Sequence, residues 1–79
     1  MTTVELLEKS IKEWKTQSGN MLRNPSTLII HPYTWESIER AIKKLGWIDK
    51  IDKISTPTHY DTMAVYRSND IQARKFIIL

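Results

Sequence analysis

The sequence has no cysteine, only two glycines and three prolines, and no apolar run longer than four residues. Without cysteine there is no disulfide framework, no thiolate zinc site and no cysteine nucleophile. Two isolated glycines cannot form the glycine-rich loop that cradles a nucleotide phosphate. The longest apolar stretch, Phe76-Ile77-Ile78-Leu79, is far below the roughly 20 residues that a membrane-spanning helix needs. Neither charge sign dominates: twelve Lys and Arg stand against nine Asp and Glu, a net charge of +3. The signs alternate along the chain, as in Lys9, Lys12 and Lys15 among Glu5, Glu8 and Glu13, or Lys50 and Lys53 beside Asp49 and Asp52. Interspersed signs describe a solvated surface rather than the one-sided basic footprint of a dedicated duplex binder.

What is present suits a single small domain over residues 1–79, with a thin core and little room for a deep pocket. Thr2 and Glu5 have capping-box spacing, and Val4, Leu7, Ile11 and Trp14 follow on one helical stripe. A first helix is predicted from about Thr3 to Ser18, ended by Gly19-Asn20. Thr27-Leu28-Ile29-Ile30 reads as a strand covered on both faces. His31-Pro32 opens a second helix, which Trp35, Ile38, Ala41, Ile42 and Leu45 continue to Gly46. Ile48, Ile51 and Ile54 suggest a helical turn passing into a short strand near Lys53–Ser55. Thr62–Arg67 and Lys75–Leu79 read as two further strands, antiparallel to each other, with turn chemistry at Ser68-Asn69-Asp70 between them. The predicted class is α+β: two helices packed on a short antiparallel or mixed sheet. The expected core is Leu7, Ile11, Trp14, Leu28, Ile30, Ile38, Ile42, Leu45, Val65 and Ile77.

Three groups of side chains have chemistry to offer. His31, His59, Asp61 and Glu36 are metal-ligand types, but no helical His pair supports them, and hydrogen-bonded turn residues are the commoner outcome. His31 at a strand-to-helix junction suits either an anion or, more simply, an imidazole nitrogen capping the helix. Ser55, Thr58 and Ser68 with His59 as base have no spacing that pairs them for catalysis. No catalytic residue, metal or cofactor is assigned, and the chain reads as a non-enzyme. The aromatics remain. Tyr33, Tyr60 and Tyr66 lie beside polar residues and are expected to be exposed. Tyr60, Tyr66, Arg67 and Arg74, around an expected final hairpin, form the candidate partner-binding set, because rigid rings and guanidinium groups dominate interface energies.

The segment Asn24-Pro25-Ser26-Thr27-Leu28-Ile29-Ile30-His31-Pro32-Tyr33-Thr34-Trp35-Glu36-Ser37-Ile38 resembles a pattern in the major capsid proteins of tailed phages. There an amphipathic helix leads to an apolar strand, a His-Pro or Asn-Pro step and a helix opened by Trp. The order of elements is similar over residues 4–67, although the chain is much shorter than a shell subunit. The resemblance implies a small phage- or prophage-encoded protein that shares that α/β core. Its expected role is interaction with a protein partner, as a virion component or as an accessory protein that binds a host factor. The N-terminal residues lack a signal-peptide pattern, so the expected location is the host cytoplasm or the virion. A homodimer through the terminal strand is expected from its apolar edge. The alternative is a small basic nucleic-acid-binding module using Lys43, Lys44, Lys50, Lys53, Arg67, Arg74 and Lys75.

Overall fold

The elements run α1 (Thr3–Thr16), β1 (Thr27–Ile30), α2 (Pro32–Leu45), a 3-10 turn (Ile48–Lys50), β2 (Ile51–Asp52), β3 (His59–Tyr60), β4 (Met63–Arg67) and β5 (Phe76–Ile78), in a computed structural model that describes residues 2–79. Both helices begin as their sequences dictate. The Thr2 hydroxyl accepts from the Glu5 N–H at 3.2 Å and the Glu5 carboxylate accepts from the Thr2 N–H at 3.3 Å, a complete capping box. The same hydroxyl holds the Glu5 carboxyl below its usual pKa. Helix α1 stops at Thr16, two residues before the predicted end. Gln17 is already extended there, and the Trp14 carbonyl accepts from the Gln17 N–H at 3.2 Å and the Asn20 side-chain amide at 3.0 Å. Helix α2 has the predicted bounds. His31 is its N-cap, with Nδ1 accepting from the Tyr33 N–H at 3.1 Å. Gly46 closes it at φ 74°, and the Trp47 N–H then donates back to the Ile42 carbonyl at 3.1 Å.

The five strands form one mixed sheet in the order β2-β3-β4-β1-β5. β1 runs parallel to β4, and α2 lies in the crossover that such a pair requires. Strand β5 is antiparallel to β1, so β1 separates β4 from β5 and the expected final hairpin does not exist. The short strand expected near Lys53–Ser55 lies instead at Ile51–Asp52. Asp52 explains the shift: its carboxylate accepts from the Ile54 and Ser55 N–H groups, folding the next residues into a turn. His59–Tyr60, for which the sequence predicts no strand, is strand β3, paired with both β2 and β4.

One core lies between the sheet and the two helices. It gathers Val4, Leu7 and Ile11 of α1, Trp35, Ile38 and Ile42 of α2, and Leu28, Ile30, Tyr60, Met63 and Val65 of the sheet. Trp14 is buried beside it. Both helices therefore cover the same face of the sheet. Two expected core residues are corrected: Leu45 is 52% exposed in the last turn of α2, and Ile77 is 42% exposed on the face without helices.

Candidate protein-interaction surface

Strand alternation decides what the uncovered face presents. Leu28, Ile30 and Val65 point into the core, so their neighbours Ile29 and Tyr66 point the other way. In register, Ile29 is flanked by Tyr66 on β4 and by Ile77 on β5, giving a cross-strand row Tyr66–Ile29–Ile77. A second row, His59–Ala64–Thr27, lies alongside, with Leu79 bonded to Thr27 at its end. Tyr66 is 50% exposed, and Leu79 is exposed too. The sequence predicts β1 to be covered on both faces. Ile29 is instead only half-buried, by Tyr66 and Ile77 rather than by a second layer.

The β5 edge adjoins this face. Thr27 and Leu79 exchange both backbone hydrogen bonds, at 3.2 and 2.9 Å. By the alternation of an antiparallel ladder, Ile77 turns its backbone toward Ile29, whereas Phe76 and Ile78 turn N–H and C=O outward. Those four groups are a template for another strand. Beside them a groove of about 500 Å3 separates α1 from β5, lined by Trp14, Glu13, Gln17, Phe76 and Ile78 among others.

The structure disperses the four residues singled out in the sequence. Tyr60 is the clear correction: it is fully buried, packed edge-on against Trp35 with ring centroids 6.3 Å apart. It can be buried because its hydroxyl finds a partner far away in sequence, donating to Glu8 of α1 at 2.5 Å. Tyr66 is on the bare face as expected of an exposed ring. Arg67, next in the strand, projects toward α2 and lines a shallow pocket with Glu36, Glu39 and Arg40. Arg74 lies beside the first turns of α2, in a left-handed conformation at φ 66°, with its N–H donating to the Thr34 hydroxyl at 3.0 Å. Tyr66 and Arg67 are thus adjacent but face opposite ways, and Arg74 joins neither. Ile29 and Ile77, which sequence reasoning misses, complete the surface around Tyr66. The one available signal was the alternation Met63-Ala64-Val65-Tyr66, which places Tyr66 opposite to the core.

The titratable groups cluster at a different point, where α1, the 3-10 turn and β3 meet. Lys50 Nζ donates to Glu8 at 3.2 Å and to Asp61 at 3.1 Å, and lies over the Trp47 and Tyr60 rings. Burial disfavours its charge, but the hydrogen bonds to Asp61 and Glu8 outweigh that and raise its pKa above 10.5. Burial, with the hydrogen bond to Glu8 second, pushes the Tyr60 phenol far above its usual value. Each of these side chains is spent on another, so the group clasps the fold rather than offering an open site. His59 Nδ1 lies 2.8 Å from the Pro57 carbonyl, and Asp61 is engaged with Lys50. Among the described residues no three His, Asp or Glu side chains converge as a metal-binding group.

The basic residues form a broken strip. Arg67 meets Arg40 in one pocket, and Arg40 meets Lys43 and Lys53 in the next, with Glu36, Glu39 and Asp52 set among them. No helix among the described residues is long and apolar enough to cross a membrane. No family model, curated protein or solved structure matches the chain.

Proposed function

We propose that this chain is a small, non-enzymatic interaction protein that binds a protein partner through the uncovered face of its sheet and the adjoining β5 edge. The observation that supports this most is the Tyr66–Ile29–Ile77 row. It combines an aromatic anchor, two flanking aliphatics and an open strand edge on a rigid sheet, the ingredients of an interface centre. Arg67 points to the helix-covered side and Tyr60 is a core residue, so neither belongs to this contact. Self-pairing is one use of this surface. An antiparallel β5–β5 pair related by a two-fold axis at Ile77 would set Phe76 against Ile78 of a second copy, satisfying the outward N–H and C=O groups on both strands. The likeness of residues 24–38 to tailed-phage shell proteins supports a phage or prophage origin, as a virion component or as a protein that blocks a host factor.

The test uses Tyr66→Ala, Arg67→Ala and Ile77→Lys proteins, first shown by circular dichroism to be folded. Capture of partner from phage-infected and uninfected host lysates is expected to fall sharply for Tyr66→Ala and to change little for Arg67→Ala, which lies on the other side of the sheet. Sedimentation over a wide concentration range is expected to show a dimer that Ile77→Lys abolishes, since a lysine at the two-fold would face its own copy. Undiminished capture by Tyr66→Ala together with a monomer at every concentration removes this surface from the reading.

A nucleic-acid-binding role is the second reading, favoured by one observation: Arg67, Arg40, Lys43 and Lys53 occupy adjoining pockets on one flank.

A further inference from the structure

At the β2 edge, the opposite edge of the sheet from β5, a cleft of about 630 Å3 opens between α2 and the segment that follows it. Its floor is Ile42 and Ile51; its walls include Ile48 and Ile54, which are 74% and 97% exposed. Two bare aliphatic side chains on one short segment, both lining the same cleft, give it an apolar wall. The segment is also held in shape. Asp52 Oδ1 accepts from the Ile54 and Ser55 N–H groups at 2.9 and 3.2 Å, Oδ2 accepts from the Ser55 hydroxyl at 2.7 Å, and Lys53 pairs with Glu39 of α2. A wall fixed in advance loses little entropy when something docks on it.

The charges around the cleft leave a positive excess, Arg40, Lys43 and Lys53 against Glu39 and Asp52. Both acidic side chains are already engaged, Asp52 in its turn and Glu39 with Lys53. Among the described residues Arg40 and Lys43 form no ion pair and no side-chain hydrogen bond, and both are exposed. They stand three residues apart on α2, so they share a face about one turn apart, which matches carboxylates spaced by one helical turn on a ligand. We propose that this cleft binds an acidic amphipathic segment of a protein partner, with apolar side chains lodged between Ile48 and Ile54 and carboxylates on Arg40 and Lys43. The site is independent of the bare sheet face, so either surface can fail its test while the other stands.

The probe is a fluorescein-labelled peptide with leucines at i, i+3, i+4 and i+7 and glutamates at the remaining positions, followed by fluorescence anisotropy on the full chain. Saturable binding is expected. It should be lost in Ile48→Ser with Ile54→Ser, and weakened about tenfold in Arg40→Glu with Lys43→Glu. These four side chains lie on the surface, so the variants should melt like the parent. Charge reversal at Lys12 and Lys15 of α1 removes the same net charge away from the cleft and should leave binding unchanged. A peptide with lysine in place of glutamate should not bind. No saturable binding, equal binding of the lysine peptide, or equal loss in the α1 variant would each overturn the proposal. So would decanoate binding, or self-association of the chain that is lost in Ile48→Ser with Ile54→Ser, where the peptide itself fails to bind.

Discussion

Gly46 closes α2 at φ 74°, and a Cβ built on it meets no atom within 4 Å. Alanine there meets no clash, only the backbone strain of the left-handed region. Gly46→Ala is therefore expected to lower stability by about 1 kcal/mol, seen as a melt shifted down by several degrees. The clasp of Glu8, Lys50, Tyr60 and Asp61 makes a second prediction. Lys50 has its pKa raised above 10.5 in the folded chain and Tyr60 has its own raised further, both above their unfolded values. Near and above pH 10 the unfolded chain releases these protons while the folded chain keeps them, so unfolding binds fewer protons and stability falls as pH rises. Their contribution is complete below the unfolded values and disappears through the alkaline range. Melting temperature measured from pH 8 to pH 11 should decline, and the decline should be shallower in Lys50→Met and in Tyr60→Phe. Parallel slopes in all three proteins would detach the clasp from the alkaline loss.

Element by element, α1 depends on one stripe. Its last member, Trp14, is nearly buried, with Arg23 stacked 6.0 Å from its ring centroid and β5 beside it. Trp14→Ala should cost about 3 kcal/mol or more and leave a domain of this size poorly cooperative in denaturant. A midpoint close to that of the parent would mean that α1 does not need its C-terminal turn docked. The helices were legible in the sequence because their signals are local. The Thr2/Glu5 box, the His31-Pro32 start, the Gly46 stop and the stripe spacing all lie within a few residues of what they determine. The strands were legible only where four or five residues alternate. β3 was hidden because His59 and Tyr60 look like turn residues until β2 and β4 flank them. The partner of β5 was hidden for the same reason: pairing is a property of two distant segments, and nothing in Phe76–Ile78 names β1 over β4. The candidate surface suffered most. Tyr60 and Tyr66 look alike in sequence; the register of β3 against β4 turns Tyr60 inward, where Glu8, 52 residues away, gives its hydroxyl a partner.

Over the whole molecule the net charge of +3 is small and its signs are mixed, which bears on the nucleic-acid reading. If Arg67, Arg40, Lys43 and Lys53 neutralise phosphates together, log affinity for duplex DNA should fall against log salt with a slope near 0.9 per contact, about 3 to 4 in all. A flat response, or no binding at low salt, removes that reading and leaves the protein-binding one. The order of strands in the sheet has a different consequence, for the making of the protein. β1 is its second-innermost rung, yet both of its neighbours come from the last seventeen residues of the sequence, 63–79. While the chain is being synthesised, α1 and α2 can wind as soon as they emerge, but β1 has nothing to bond until residues after 63 are free of the ribosome. Non-local closures of this kind come late and slowly. Assembly is thus set by arrival rather than by propensity, and a nascent chain halted after Arg67 would hold β1 with one side unzipped.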